Sequence, residues 1–323
     1  MLQYSDVHNE RGAFPQGRRR RGCRLLIGTS PSDDALGDFV VGVRALVTAR
    51  VGKAVSFTEM TADAAGLLPG KMLRTRLAAR IFHEAPAPVD RMALQGACAA
   101  TELVHTASLC HDDVVDNAMI RRAKPVLWRT TGPSGAVLIG DVLLCEALAM
   151  IGQADGGRCL AAFISKVHQV VQTEAEQELL WLGRQPDEQT CLRLARGKTG
   201  PLFAFVAWVC GGRDQAFSAA LAEAGYHIGT AYQLADDLLD LVGDEASAGK
   251  TLGTDSARGK RTLPQGGAGG ERSTRQHIPR LCESAYQCLA PYPKARSAVV
   301  SFVQQDLQPL LSRDADICIE SSV

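Results

Sequence analysis

Two short acidic stretches carry the residue types in this chain best suited to chemistry. They are His111-Asp112-Asp113-Val114-Val115-Asp116 and Gln233-Leu234-Ala235-Asp236-Asp237-Leu238-Leu239-Asp240. On a helix, positions i and i+4 stack on one face and i+3 lies close beside them. Asp112 with Asp116, and Asp236 with Asp240, therefore share a face, with Asp113 and Asp237 at its edge. Like charges so placed repel by about 0.2–0.5 kcal/mol per pair even at an exposed site. A cation relieves that repulsion. Carboxylates that bind through one or two oxygens, leaving room for phosphate, are how proteins hold Mg2+. Two such faces opposed across a cavity would clamp Mg2+ ions and a diphosphate. One motif alone reads equally well as a solvated acidic helix end. Two with the same spacing, each after an apolar run, are harder to read that way.

A diphosphate also needs cationic side chains, Arg as a bidentate fork and Lys as a point charge. Arg121-Arg122 follow the first motif, Lys198-Thr199 follow Gly197, and Lys250 and Lys260-Arg261 follow the second motif. Gly70-Lys71-Met72-Leu73-Arg74 marks the turn before an early helix. Each alone is compatible with a solvated surface charge; their grouping beside both acidic motifs points to a binding site. His105 lies seven residues before Asp112, two turns down the same face, where a histidine satisfied in the core is the competing reading. His111 reads as structural, helping to cap or orient the aspartates.

The elements that must position these groups are helices. From about Asp34 onward, apolar residues recur at three- and four-residue steps: 38–51, 92–110, 136–151, 158–182, 187–196, 201–211, 215–242 and 296–311. Breaks are expected at Pro69-Gly70, Pro86 to Pro88, Gly132-Pro133, Gly156-Gly157 and Gly211-Gly212. Strand-like alternation is nearly absent. The chain is expected to be all-α, a single large helical domain over 34–323 with about ten or more helices. Gln265 to Arg275 reads as a loop by composition. Residues 1–33 are basic, with Arg18 to Arg21 in a row, and read as a disordered tail; an anionic-surface contact and an organelle-targeting segment are the other readings, the last weakened by Asp6 and Glu10.

Taken together, the motifs resemble those of the trans-isoprenyl diphosphate synthases, also called polyprenyl synthetases, from about Asp38 to Pro264. The resemblance implies an isoprenoid synthase type of fold, with helices ringing a deep central cavity. It implies a Mg-dependent prenyltransferase that condenses an allylic diphosphate with isopentenyl diphosphate and releases diphosphate. Asp112, Asp113, Asp116, Asp236, Asp237 and Asp240 would bind metal, about three Mg2+ ions per site. Arg121, Lys198, Thr199, Gln233, Lys250 and Lys260 would surround the allylic diphosphate. Lys71, Arg74, His105 and Arg122 would bind isopentenyl diphosphate. Three positions depart from the family pattern: Met72 stands where a basic residue is usual, Ala123 replaces a glycine, and Tyr232 fills the aromatic position before Gln233. The family's usual helix after Thr262-Leu263-Pro264 is expected to be partly missing. A homodimer is likewise implied.

Product length is expected to follow cavity depth. One helical turn is about 5.4 Å, close to one isoprene unit. Ala107 and Ser108, then Val104 and Thr101 further down, are all small or medium, where the family uses a large aromatic floor for short products. A product of C20 or longer follows. A terpene cyclase of related fold would not need Lys71, Arg74 and Arg122, and a non-catalytic subunit of a heteromeric synthase would be free to lose aspartates that this chain keeps. Lys+Arg and Asp+Glu are both 35, so no global pull toward nucleic acid exists. Ten cysteines without a C-x-x-C fit a reducing cytoplasm. No apolar run is expected to reach a membrane span, leaving only transient membrane contact for product release.

Overall fold

Asp90 opens the helix that carries the first motif, its carboxylate accepting from the Ala93 amide at 2.8 Å. Asp187 does the same for the Thr190 amide and Asp214 for that of Phe217. Each such cap satisfies a backbone donor that the first turn leaves orphaned. The computed structural model describes residues 31–58, 66–85, 89–122, 124–242, 258–266 and 269–315. The main helices are α1 (Pro31–Ala54), α2 (Leu73–Glu84), α3 (Arg91–Val115), α4 (Trp128–Gln153), α5 (Leu160–Glu176), α6 (Glu188–Cys210) and α7 (Gln215–Val242). α8 (Gly270–Cys288), α9 (Pro293–Phe302) and α10 (Gln308–Ala315) follow. Among the described residues the strands are a two-residue ribbon, β1 (Ile120–Arg121) against β2 (Lys124–Pro125). The expected all-α fold is the observed one.

Helices α3, α5, α6 and α7 surround the cavity, and small residues set how closely they pack. A Cβ on Gly229 would stand 2.7 Å from the Gly200 Cα, and one on Gly225 2.7 Å from the Ala204 Cα. Gly225 and Gly229 form one stripe of α7 at i,i+4 spacing, and that stripe lets α6 and α7 touch backbone to backbone. α3 packs on α4 in the same economical way: His111 lies against Gly140, with Nε2 3.2 Å from the Val137 carbonyl oxygen. His111 thus docks one helix on the next, rather than orienting the aspartates.

The C-terminal helices fasten onto α2. Asp306, in a π-turn (Val303–Leu307) after α9, accepts from Arg80 and, at 3.2 Å, from Arg76. Arg80 also donates to Gln305 Oε1 at 2.9 Å.

Several boundaries differ from expectation. The stretches 187–196 and 201–211 are one helix, α6, because Gly197 passes against Thr173 and Pro201 is tolerated without a break. Gly132-Pro133 kinks α4 instead of preceding it, with Gly132 at φ 74. Within Gln265 to Arg275, expected as a loop, α8 begins at Gly270. A Cβ there would stand 2.4 Å from the Leu263 carbonyl oxygen, so the glycine that suggested a loop serves a close approach. α4 is also long and apolar enough to cross a membrane by length and composition alone, with mean hydropathy 1.9. Asp141 and Glu146 interrupt its apolar run in the sequence, and 39% of the stretch is buried. The Pro86 to Pro88 break and residues 1–30 of the expected tail lie outside the described residues.

Candidate active site

Asp112 and Asp116 from the end of α3, and Asp236 and Asp240 from the end of α7, line one cavity of about 580 Å3. The i,i+4 carboxylates of both motifs thus face the same space. The middle aspartates turn aside. Asp113 takes a bidentate grip from Arg121, Nε at 2.9 Å and a terminal nitrogen at 2.7 Å. Asp237 accepts from Gln233 Nε2 at 2.8 Å and faces a small neighbouring cavity beside Gln177 and Cys191.

The close α6–α7 contact sets the next layer. Thr199 donates to Gln233 Oε1 across it. Lys198 donates to Gln177 Oε1 at 2.8 Å and pairs with Glu174 at 3.2 Å. Lys260 donates to Asp116 at 2.8 Å, and Arg258 bridges Asp116 to Glu178, with 2.6 Å on the Glu178 side. Lys250 lies outside the described residues. Burial, with Glu174 and Asp116 adding negative potential, pushes the Asp112 carboxyl up to about 7, against Lys198 and Lys260.

Lys71, Arg74, His105 and Arg122 line the same cavity. Gly70 makes their convergence possible: a Cβ there would stand 2.7 Å from the Arg122 guanidinium. Arg44 of α1 pins that turn, donating to the Pro69 and Gly70 carbonyls at 2.7 and 3.0 Å. Arg74 lies over the Phe203 ring at 5.2 Å, and its Nε is buried with no hydrogen-bond partner. A buried guanidinium with a spare donor suits an anion. Burial, then the charges of Arg74, Arg122 and Arg121, hold the His105 pKa well below its ordinary value, so the ring is neutral. Met72 is buried at the cavity edge with φ 53, starting α2 from a left-handed turn.

Of the residues expected to gauge product length, Ser108 lines the cavity. Ala107, Val104 and Thr101 are buried in the core and outside its lining. The apolar wall is instead made by Leu109, Val170, Leu202 and Phe203. Outside the lining, two turns before Val170 on α5 and one turn after Leu202 on α6, the fully buried rings of Phe163 and Phe205 meet at 5.0 Å.

Sequence reasoning missed Glu102, Glu174, Arg258 and Arg44. Glu102 is buried, accepts from Thr75 at 2.9 Å and faces the cavity beside Arg74. A lone acid inside the apolar run from Ala97 to Leu109, three residues before His105, was its available signal. Glu174 carried a weaker one, and Arg258 meets Asp116 across 142 residues of sequence.

The residues present fit Mg2+. Among the described residues no three His, Cys, Asp or Glu side chains converge into a ready-made cage. Paired aspartate oxygens on two walls suit an ion that keeps waters and takes its remaining ligands from substrate phosphates.

Comparison with known proteins agrees with this geometry. Residues 58–288 match the family model described as polyprenyl synthetase. The octaprenyl diphosphate synthase of Haemophilus influenzae is 33% identical over 166 residues, 50% of each chain. The (2E,6E)-farnesyl diphosphate synthase of Mycobacterium tuberculosis is 33% identical over 63% of this chain and 59% of its own. The chain spans about half the length of the curated relatives it matches. A polyprenyl synthase from Caulobacter crescentus, solved with calcium and isoprenyl diphosphate, superposes with a TM-score of 0.76 at 27% identity, covering 87% of this chain and 98% of that one. With its two acidic motifs opposed across one helical cavity and its middle two-thirds matched to the family model, this chain belongs to the polyprenyl synthetase family.

Proposed function

We propose that this protein is a Mg2+-dependent trans-prenyltransferase that joins an allylic diphosphate to isopentenyl diphosphate and releases diphosphate. The observation that carries the reading is one cavity lined by both acidic motifs and by two separate basic sets. Asp112, Asp116, Asp236 and Asp240 would hold the ions, with Asp113 and Asp237 steadying Arg121 and Gln233 beside them. When bound, Mg2+ supplies positive charge to a diphosphate leaving group. Lys198, Thr199, Gln233, Arg121 and Lys260 surround the allylic diphosphate, with Lys250 assigned to the same set by the family resemblance. Their donors are aimed where negative charge grows as the carbon–oxygen bond breaks. Lys71, Arg74, His105 and Arg122 orient isopentenyl diphosphate so that its double bond attacks the allylic carbon. The proton lost from the resulting cation goes to the departing diphosphate. Leu109, Val170, Leu202 and Phe203 keep water from that cation.

A terpene cyclase would leave the second basic set without a purpose, yet Arg74 is buried there with a spare donor. A non-catalytic subunit would not need six aspartates. Product length is set, in this reading, by how far the cavity runs toward the Phe163–Phe205 pair, and the small Ser108 in its lining supports C20 or longer. Exposed Val137 and Leu138 on α4 and Ile164 and Val171 on α5 support a homodimer through that face. Buried free cysteines support a cytoplasmic location, and transient membrane contact would serve product release. Purified protein given farnesyl and isopentenyl diphosphates with Mg2+ should yield chains of C20 or longer. No consumption of isopentenyl diphosphate would refute the reaction, and products stopping at C15 would refute the length.

A further inference from the structure

Arg258 contributes no cavity wall, yet like Lys260 and Arg121 it touches the first acidic motif directly. One guanidinium nitrogen donates to Asp116 Oδ1, the same oxygen that takes Lys260 at 2.8 Å. The other donates at 2.6 Å to Glu178 Oε1, in the π-turn (Gln177–Trp181) that ends α5. The second oxygen of Glu178 is buried with no hydrogen-bond partner. All three side chains are only about a quarter exposed, at 22%, 21% and 26%. The arrangement is a planar fork with one prong on each of two carboxylates from different elements. That geometry belongs to arginine and not to lysine.

Resting on the reading of Asp116 as a magnesium ligand, we propose that Arg258 is an internal stand-in for the metal, a latch held to Asp116 by Glu178 that magnesium must displace. A carboxylate oxygen already holding a guanidinium and an ammonium has little left for a third cation. Displacement requires Arg258 to leave Asp116 while its other prong stays on Glu178. The latch therefore has a built-in resting place and needs no large movement of the chain. It gives the site a threshold: the metal enters fully only when its concentration, or an arriving diphosphate that draws off Arg258 and Lys260, outcompetes the fork. Because Glu178 orients the fork, removing that carboxylate weakens the latch. Counting charges alone predicts the opposite, since Glu178→Gln takes a negative charge from the neighbourhood of a cation site.

That opposition makes the test. Mg2+ binding to the substrate-free protein is measured by calorimetry for wild type, Glu178→Gln, Arg258→Lys and Asp116→Asn, with hydrogen exchange of residues 258–266 followed alongside. Wild type should bind Mg2+ more weakly than Glu178→Gln and Arg258→Lys by about fivefold, the worth of a partly exposed bridged ion pair. Exchange in 258–266 should quicken when Mg2+ is added to wild type, and be already quick without metal in both latch variants. Equal or weaker binding in Glu178→Gln overturns the latch. If Asp116→Asn abolishes Mg2+ binding while wild type and the latch variants bind alike, the latch fails and the magnesium site stands. If wild type and Asp116→Asn bind alike or not at all, the underlying reading of the site fails instead.

Discussion

Replacing Gly229 by alanine should separate two helices that the site needs in contact. The added Cβ would lie 2.7 Å from the Gly200 Cα and 3.0 Å from the Thr199 carbonyl oxygen, both backbone atoms that cannot rotate away. Carbon pairs rest at about 3.5–4.0 Å, so α7 must withdraw from α6 by roughly 1 Å. Overpacking of this kind costs about 1–3 kcal/mol. In a domain of this size that lowers the melting temperature by about 2–4 °C per kcal/mol. The functional cost should be larger, because Gln233 sits one turn along and meets Thr199 across this seam, with Asp236 and Asp237 just beyond. A displacement of about 1 Å in a positioning group can cost about 100-fold in rate. Gly225→Ala is the matched control. It makes an equal clash, 2.7 Å from the Ala204 Cα, a full turn further from the motif. Thermal unfolding should show similar losses for both variants, while steady-state turnover should fall about tenfold further for Gly229→Ala. Equal turnover in the two variants, or a Gly229→Ala protein as stable and active as wild type, would refute the claim that this seam positions the second motif.

Three further outcomes are expected. Phe163→Ala should lengthen the product by one or two isoprene units, about one turn of depth each, read by chromatography of dephosphorylated products; an unchanged length distribution places the floor elsewhere. Arg74→Gln should raise the KM for isopentenyl diphosphate about 10- to 100-fold, the worth of a charge-assisted hydrogen bond, and leave the allylic KM within about twofold. The third concerns Glu176, whose hydrogen bonds from Arg193 and then Trp181 hold its carboxyl at about 2, below the usual 4.5. A depressed carboxylate stabilises the fold above its unfolded pKa and loses that contribution as pH falls through the folded one. The melting-temperature gap between wild type and Arg193→Gln should therefore be full above about pH 5 and shrink steadily toward pH 2; a gap that widens on acidification contradicts the pairing.

The sequence made the metal-facing geometry legible because helical spacing alone decides which carboxylates stack. Asp112 with Asp116 and Asp236 with Asp240 needed no tertiary information. Depth was harder. Thr101, Val104 and Ala107 lie along α3 outside the lining, whereas Val170 of α5 and Leu202 and Phe203 of α6 join Leu109 in the apolar wall, and no spacing rule within α3 reveals them. The helix from Gly270 was hidden because glycine signals a loop by composition, whereas here it answers a neighbouring carbonyl. Its buried face at Thr274, Ile278, Cys282 and Ala285 had the period to contradict that signal. Glu102 and Glu174 escaped because a buried acid is recognised by its partners, and partners belong to the folded chain.

The clamp of Asp306 on Arg76 and Arg80 has a bearing on biosynthesis. α2 presents Arg74 to the cavity, but its fastening to Asp306 is made only 230 residues after Arg76. A nascent chain emerging from the ribosome can pair α3 with α4, and α6 with α7, well before position 306 is made. Until then the Arg74 side of the cavity has no firm edge. Vectorial synthesis would thus close the walls built by α3, α6 and α7 before the edge that α2 contributes is fastened.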